Sequence, residues 1–294
     1  MPDTHGGNIF KFSHDHKINL SEVTDFSANI NLLGPSPKGL EALNERLRYI
    51  SHYPDVTNDD VMNTIADVYG IEKDSILLGN GAAELLYAVG RLSGFTGAFV
   101  PAPGFSEYQS SMDAANIPVR EIFYRQRQND DGTPYFEVPY LALQTFAAEL
   151  KGQDGRIIVF LGNPNNPDGT LLDKQSIKVL AQMLKDANSL LVIDESFIDF
   201  IGNESLRDNS HSMRELINQY DNVIIVHSFT KFYAVPGLRI GAVFANPTLI
   251  QELRQYIPAW SVNTLAQAYT ESALTDTKYI NDSKMVLANE AKYM

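Results

Sequence analysis

The chain has 294 residues, with 23 Lys and Arg against 36 Asp and Glu, for a net charge of −13. That acid excess argues against nucleic acid and anionic membrane surfaces as partners, because both reward basic side chains, yet it allows a small anion in a local pocket. The absence of cysteine removes disulfides, thiolate metal sites and a cysteine nucleophile together.

With 44% apolar and 20% charged residues the composition is that of a globular protein with a sizeable core. The first thirty residues include His5, Asp15, Glu22 and Asp25 and lack an apolar stretch of signal-peptide length. No apolar run approaches a membrane span, so a cytoplasmic location is expected.

In chain order, residues 1–50 read as an N-terminal arm and part of a smaller domain. They hold a polar opening, the irregular segment from Asp25 to Asn31, the breaker Gly34-Pro35-Ser36-Pro37, and a helix built on Leu40, Leu43 and Leu47. Residues 51–262 read as the large domain. Asn58 opens a helix with Val61, Ile65 and Val68 on one face and Gly70 as its C-terminal cap. Seven short apolar runs follow, at Ile76–Leu78, Ala98–Val100, Val119–Tyr124, Ile157–Leu161, Leu190–Ile193, Val223–Val226 and Gly241–Ala245. Continuous rather than alternating runs suit strands covered on both faces. Between two of them Ile177, Leu180, Ala181 and Leu184 fall at helical spacing. The expected fold is therefore α/β, a three-layer α/β/α arrangement around a mostly parallel seven-stranded sheet. Residues 263–294, with Leu265, Ala268 and Tyr269, read as the start of a small α+β domain that stops at Met294 without an obvious closing element.

Four places along the large domain could carry chemistry. Gly79-Asn80-Gly81-Ala82-Ala83-Glu84 joins a strand to a helix and offers backbone N–H groups to a phosphate. A dinucleotide fingerprint needs glycine where Glu84 stands. Gly162 to Gly169 is a loop rich in Asn and Pro. Asp194 leaves the carboxyl end of a buried strand, where ligands of open α/β sheets gather. On its own it could be a metal ligand, a base, a counter-ion to a ring nitrogen or a loop acid. Ser228-Phe229-Thr230-Lys231 follows the next strand, and Arg239 stands eight residues beyond Lys231. Hydroxyl, amine and guanidinium could converge there on an anion. His14 and His16 lack a third ligand for a metal and read as surface residues.

The order of these motifs resembles the fold-type I superfamily of aminotransferases dependent on pyridoxal phosphate. The resemblance implies that Lys231 holds the cofactor aldehyde and shuttles protons, Asp194 pairs with the pyridine nitrogen, and Asn166 donates to the ring's phenolic oxygen. It further implies that Tyr108 stacks on the ring, that Ser228, Arg239 and the amides of Ala82 and Ala83 hold the phosphate, and that Tyr53 reaches the phosphate of a neighbouring subunit in a homodimer. His5-Gly6-Gly7-Asn8, the Asp25–Asn31 segment, Asp194 to Phe200 and Trp260-Ser261-Val262-Asn263 look like the threonine-phosphate decarboxylase branch, close to histidinol-phosphate aminotransferases. In that branch residues matching His5, Gly6 and Asn29 help bind a phosphorylated amino-acid substrate, with Asn166 beside them. Phe197 departs from the tyrosine common in aminotransferases. Relatives of this type continue beyond the point matching Met294 with substrate-binding arginines, so a shortened chain that binds cofactor with little turnover is a third expectation, after decarboxylation and transamination.

Overall fold

The computed structural model describes residues 6–150, 155–202 and 205–293. Nine strands occur among them: β1 (Ile76–Gly79), β2 (Phe95–Ala102), β3 (Val119–Phe123), β4 (Arg125–Gln128), β5 (Pro134–Glu137), β6 (Arg156–Gly162), β7 (Leu190–Asp194), β8 (Val223–Ser228) and β9 (Gly241–Ala245). Seven form one sheet in the order β1-β9-β8-β7-β6-β2-β3. The pairs β2–β3, β2–β6, β6–β7 and β7–β8 are parallel, whereas β9 is antiparallel to both β1 and β8. All seven apolar runs read from the sequence are strands of this sheet.

Alternation along the strands divides the core in two. Ile157, Val159, Leu161, Leu191, Ile193, Val223 and Ile225 point to one face and pack with Ile65, Ile177, Leu180 and Leu184. Ile158, Phe160, Val192, Ile224 and Val226 point to the other, against Leu85, Leu86, Met112 and Leu253. Helix 174–186 buries Ile177, Leu180, Ala181 and Leu184 completely, and its Asp173 cap accepts from the Ser176 amide. Three layers result.

The hairpin β4–β5 was not legible in the sequence. Its residues are all exposed, so no apolar run marks it. The first helix of the large unit runs from Asp59 to Tyr69, closed by Gly70 in the left-handed region, as its cap glycine requires.

Helix Pro37–Arg46 is docked differently from the expectation of a leucine face. Leu40 and Leu47 stay 40% and 43% exposed, and Leu43 alone of the three packs on the core. The helix is seated instead by Gly39, where a Cβ would stand 2.6 Å from the Tyr269 ring. Ser36 N–H donates to the Tyr269 hydroxyl at 2.7 Å, and Ser36 Oγ donates to Asp276 Oδ2 at 2.8 Å. The two ends of the chain thus meet, through helix 264–274, beside the sheet. Among the described residues no helix is long and apolar enough to cross a membrane.

Candidate functional site

The carboxyl ends of β1, β6, β7 and β8 and the start of β9 lie along one rim of the sheet, because β9 runs the other way. Gly241 is registered against both Gly79 and Ser228, and Asp194 against Gly162. Loops leaving this rim enclose a small pocket of about 120 Å³ that opens to solvent. Its walls include Ala82, Ala83, Tyr108, Asn166, Asp194, Ser228, Lys231 and Arg239. Eight site residues expected from separate stretches of sequence therefore converge. The wall also holds Phe105, Pro164, Ser196, Phe197 and Thr230, of which the sequence gives a reason to single out only Phe197.

One end of the pocket is built to receive an anion. Helix 82–89 starts after Gly81, whose φ of +83° suits glycine, and has no side chain capping its first amides. A Cβ at Gly81 would collide with the Arg239 guanidinium, and one at Gly241 would stand 2.6 Å from the Ala82 nitrogen. Both glycines thus let the helix start, the guanidinium and β9 close together. Ser228 Oγ lies 2.8 Å from Thr230 Oγ1, adding two hydroxyls at the same end. The Glu84 carboxylate accepts from Asn80 N–H at 2.6 Å and from the Ser261 hydroxyl, fastening this turn to the 260 loop. Glycine at position 84 would lose both bonds.

The other end is acidic. Asp194 is buried, accepting from Ser196 N–H through Oδ1 and from the Tyr108 hydroxyl through Oδ2, each at 2.9 Å. Burial, then the Asp194 charge, holds the Tyr108 phenol well above its ordinary value, so it stays a donor. The Tyr108 ring is stacked on Phe160 at 5.2 Å and meets Phe105 edge-on at 5.7 Å. Phe160 covers one face of the Tyr108 ring, whose hydroxyl is committed to Asp194. The half-buried Phe105 is the other aromatic of this turn on the pocket wall.

Between the two ends stands Lys231, on the short helix Phe229–Phe232 that follows β8. Burial and the neighbouring Arg239 lower its amine below the ordinary lysine value, against a smaller opposing pull from Asp194. Asn31, 4% exposed, donates through its side chain to Phe232 O at 2.8 Å, and its backbone N–H donates to Lys231 O at 3.1 Å. The segment carrying Asn29 is thereby tied to the Lys231 turn, although Asn29 itself is exposed and outside the pocket wall. Gly6 is exposed beside Ser27, and His5 lies outside the described residues. Tyr53 is 80% exposed and rests against Trp260 at 4.7 Å, outside its own chain's pocket.

The family model for aminotransferase class I and II matches residues 21–294. The chain belongs to that family. Its members are pyridoxal-phosphate-dependent enzymes. Among relatives, the chain is 36% identical over 284 residues to the adenosylcobalamin biosynthesis bifunctional protein CobDQ of Leptospira interrogans, covering 95% of this chain and 30% of that one. It is 32% identical over 281 residues to the threonine-phosphate decarboxylase of Salmonella typhimurium, covering 94% of this chain and 71% of that enzyme. Among solved structures, the histidinol-phosphate aminotransferase of Clostridium acetobutylicum superposes with a TM-score of 0.78 at 26% identity, over 92% of this chain and 75% of that one.

The pocket residues fit pyridoxal phosphate. An uncapped helix start, two hydroxyls and a guanidinium suit a phosphate dianion at one end, a carboxylate suits a protonated ring nitrogen at the other, and an amine of lowered basicity stands between them.

Proposed function

We propose that this chain decarboxylates L-threonine O-3-phosphate to (R)-1-aminopropan-2-yl phosphate, with pyridoxal phosphate as cofactor and within cobalamin biosynthesis. The observation carrying the choice within the family is identity above 30% to relatives named for that decarboxylation or for adenosylcobalamin synthesis. Phe197 on the pocket wall, a phenyl where a phenol is common in aminotransferases, agrees with it.

Bound pyridoxal phosphate supplies an electron sink for negative charge developing at the substrate α-carbon. Lys231 Nζ would hold the cofactor aldehyde and, in decarboxylation, would return a proton at the substrate α-carbon. Asp194 holds the proton on the pyridine nitrogen, and Tyr108 and Ser196 hold Asp194. Asn166 would donate to the cofactor's phenolic oxygen, and the aromatic turn of Phe105 and Tyr108 would pack against its ring. The Ala82 and Ala83 amides, Ser228 and Arg239 bind the phosphate. His5, Gly6 and Asn29 are assigned to the substrate side, Asn29 standing two residues before the anchored Asn31. In a homodimer the exposed Tyr53 would reach toward the phosphate held by the other subunit.

Incubation with L-threonine O-3-phosphate and no keto acid tests this reading by carbon dioxide release; none, from cofactor-loaded protein, refutes it. The second reading, transamination of histidinol phosphate, draws on the likeness to the Clostridium enzyme and requires turnover that depends on 2-oxoglutarate.

A further inference from the structure

Behind Asp194 and Lys231, on the opposite face of the sheet, lies a buried polar cluster that does not line the pocket. His227 precedes Ser228 on β8 and, by strand alternation, points away from it. Its Nε2 lies 3.1 Å from Asp199 Oδ2, and the Tyr69 hydroxyl donates to the same oxygen at 2.8 Å. Both members of the pair are buried, His227 at 1% and Asp199 at 3% exposure. Burial alone would raise the Asp199 carboxyl, but His227, Tyr69 and Arg214 outweigh it and hold it below the usual range. An ionised carboxylate only accepts, so His227 carries its proton on Nε2 and donates. The imidazole is held in place by Tyr69, Phe229 and Phe244, with ring centroids at 5.0, 4.9 and 5.7 Å.

This pair joins the two segments that the chemistry needs in register. The ladder between β7 and β8 ends with Glu195 N–H donating to Val226 O at 2.8 Å. Past that bond one chain turns through Ser196 and Phe197 to Asp199, and the other through Ser228 to Lys231. An edge contact of Phe200 on Phe232, at 5.3 Å, adds packing between them but no direction. We propose that the His227–Asp199 hydrogen bond is a positioning tie that sets Lys231 against Asp194, making His227 a positioning residue for the reaction. The proposal rests on the pocket being the pyridoxal phosphate site. The reason is geometric: a site residue displaced by about 1 Å costs orders of magnitude, and a buried hydrogen bond to a charge is directional where apolar packing is not.

The test compares His227→Asn with His227→Gln in the full chain. Both place an amide in the aromatic cage; only the longer one carries its nitrogen to where Nε2 stands. Cofactor affinity is read by absorbance titration, alongside kcat, KM for the amino substrate, and thermal unfolding. His227→Asn is expected to weaken cofactor binding about tenfold and lower kcat with KM little changed, and His227→Gln to recover most of both. Equal cofactor affinity in the Asn variant and the wild type, or no recovery in the Gln variant, overturns the tie. If His227→Asn does not fold, the double variant His227→Phe/Asp199→Asn keeps the ring packing without a stranded charge. It is expected to show the same tenfold loss, and wild-type affinity there overturns the proposal. Wild-type protein that fails to bind pyridoxal phosphate overturns the reading of the pocket itself, separately from these comparisons.

Discussion

The Tyr108 hydroxyl reaches across 86 positions of sequence to donate to Asp194 Oδ2 at 2.9 Å, so the acid of the pocket is held from the helix of a different loop. Tyr108→Phe keeps the stacking on Phe160 and removes only this donor. A hydrogen bond to a charged group contributes about 1.5–3 kcal/mol. The variant is therefore expected to unfold several degrees below the wild type and to lose roughly ten- to a hundredfold in kcat/KM. Undiminished kcat/KM would mean that Asp194 needs no help from Tyr108.

Lys231→Ala should leave the sheet and both cores intact, since the side chain only lines the pocket. Borohydride treatment followed by dialysis and mass spectrometry should then find no cofactor covalently retained, where the wild type retains one per chain. Turnover is expected to fall by at least about a thousandfold, as for loss of an activated nucleophile. Retained cofactor in the variant would place the attachment on another amine.

The lowered basicity of Lys231 has a pH signature. The neutral amine attacks an aldehyde, so cofactor capture by apoprotein should accelerate with pH and level off with a midpoint below the roughly 10.4 of a free lysine. Arg239 is a like charge that disfavours protonation. Arg239→Gln should consequently move the midpoint upward, in addition to weakening phosphate binding. Stopped-flow absorbance over a pH series reads both effects, and a midpoint that stays or falls would remove Arg239 as the source.

Glu195 gives a stability prediction of opposite kind. Burial raises its carboxyl above the ordinary value, against bonds from the Met213 amide and Ser212 and the charge of Arg214. A raised folded value means that the folded state holds the proton longer than the unfolded one. Its stabilising share is full below the unfolded value near 4.3 and is lost as pH rises through the folded value. Glu195→Gln lacks that loss. Denaturant titrations at pH 4.5 and pH 8 should show the variant gaining on the wild type as pH rises, by at most about 1.4 kcal/mol per pH unit. A gap that stays constant would show Glu195 ionising alike in both states.

The central sheet strands could be read from sequence because strands buried on both faces must be apolar at every position, as Ile157 to Leu161 and Leu190 to Ile193 are, whereas the edge strand β3 carries Arg120 and Glu121 and is mostly exposed. The hairpin at 125–137 escaped because a solvated pair of strands leaves no such run. Within the site, the charged positions were legible because a lysine, an acid and an arginine at strand ends need a partner. Phe105 and Tyr108 sit three apart on one turn and both line the pocket, and sequence does not say which ring would face a ligand. The His227–Asp199 pair left a fainter trace. A histidine closing the apolar strand Val223–Val226, and two acids in succession at 194 and 195, imply that alternate members face away from the pocket and need partners beneath the sheet.

The reversed direction of β9 also decides when the pocket comes into being. Laid parallel, this five-residue strand would begin at the far edge of the sheet, about 16 Å away at roughly 3.3 Å per residue, taking Arg239 with it. Running backward, it slots Gly241 between Gly79 and Ser228 and closes the anion end of the pocket with a residue more than 150 positions beyond Ala82. The cradle is complete only when β9 lies between β1 and β8. By mass action, bound cofactor would add stability only to chains whose sheet includes β9 in this place.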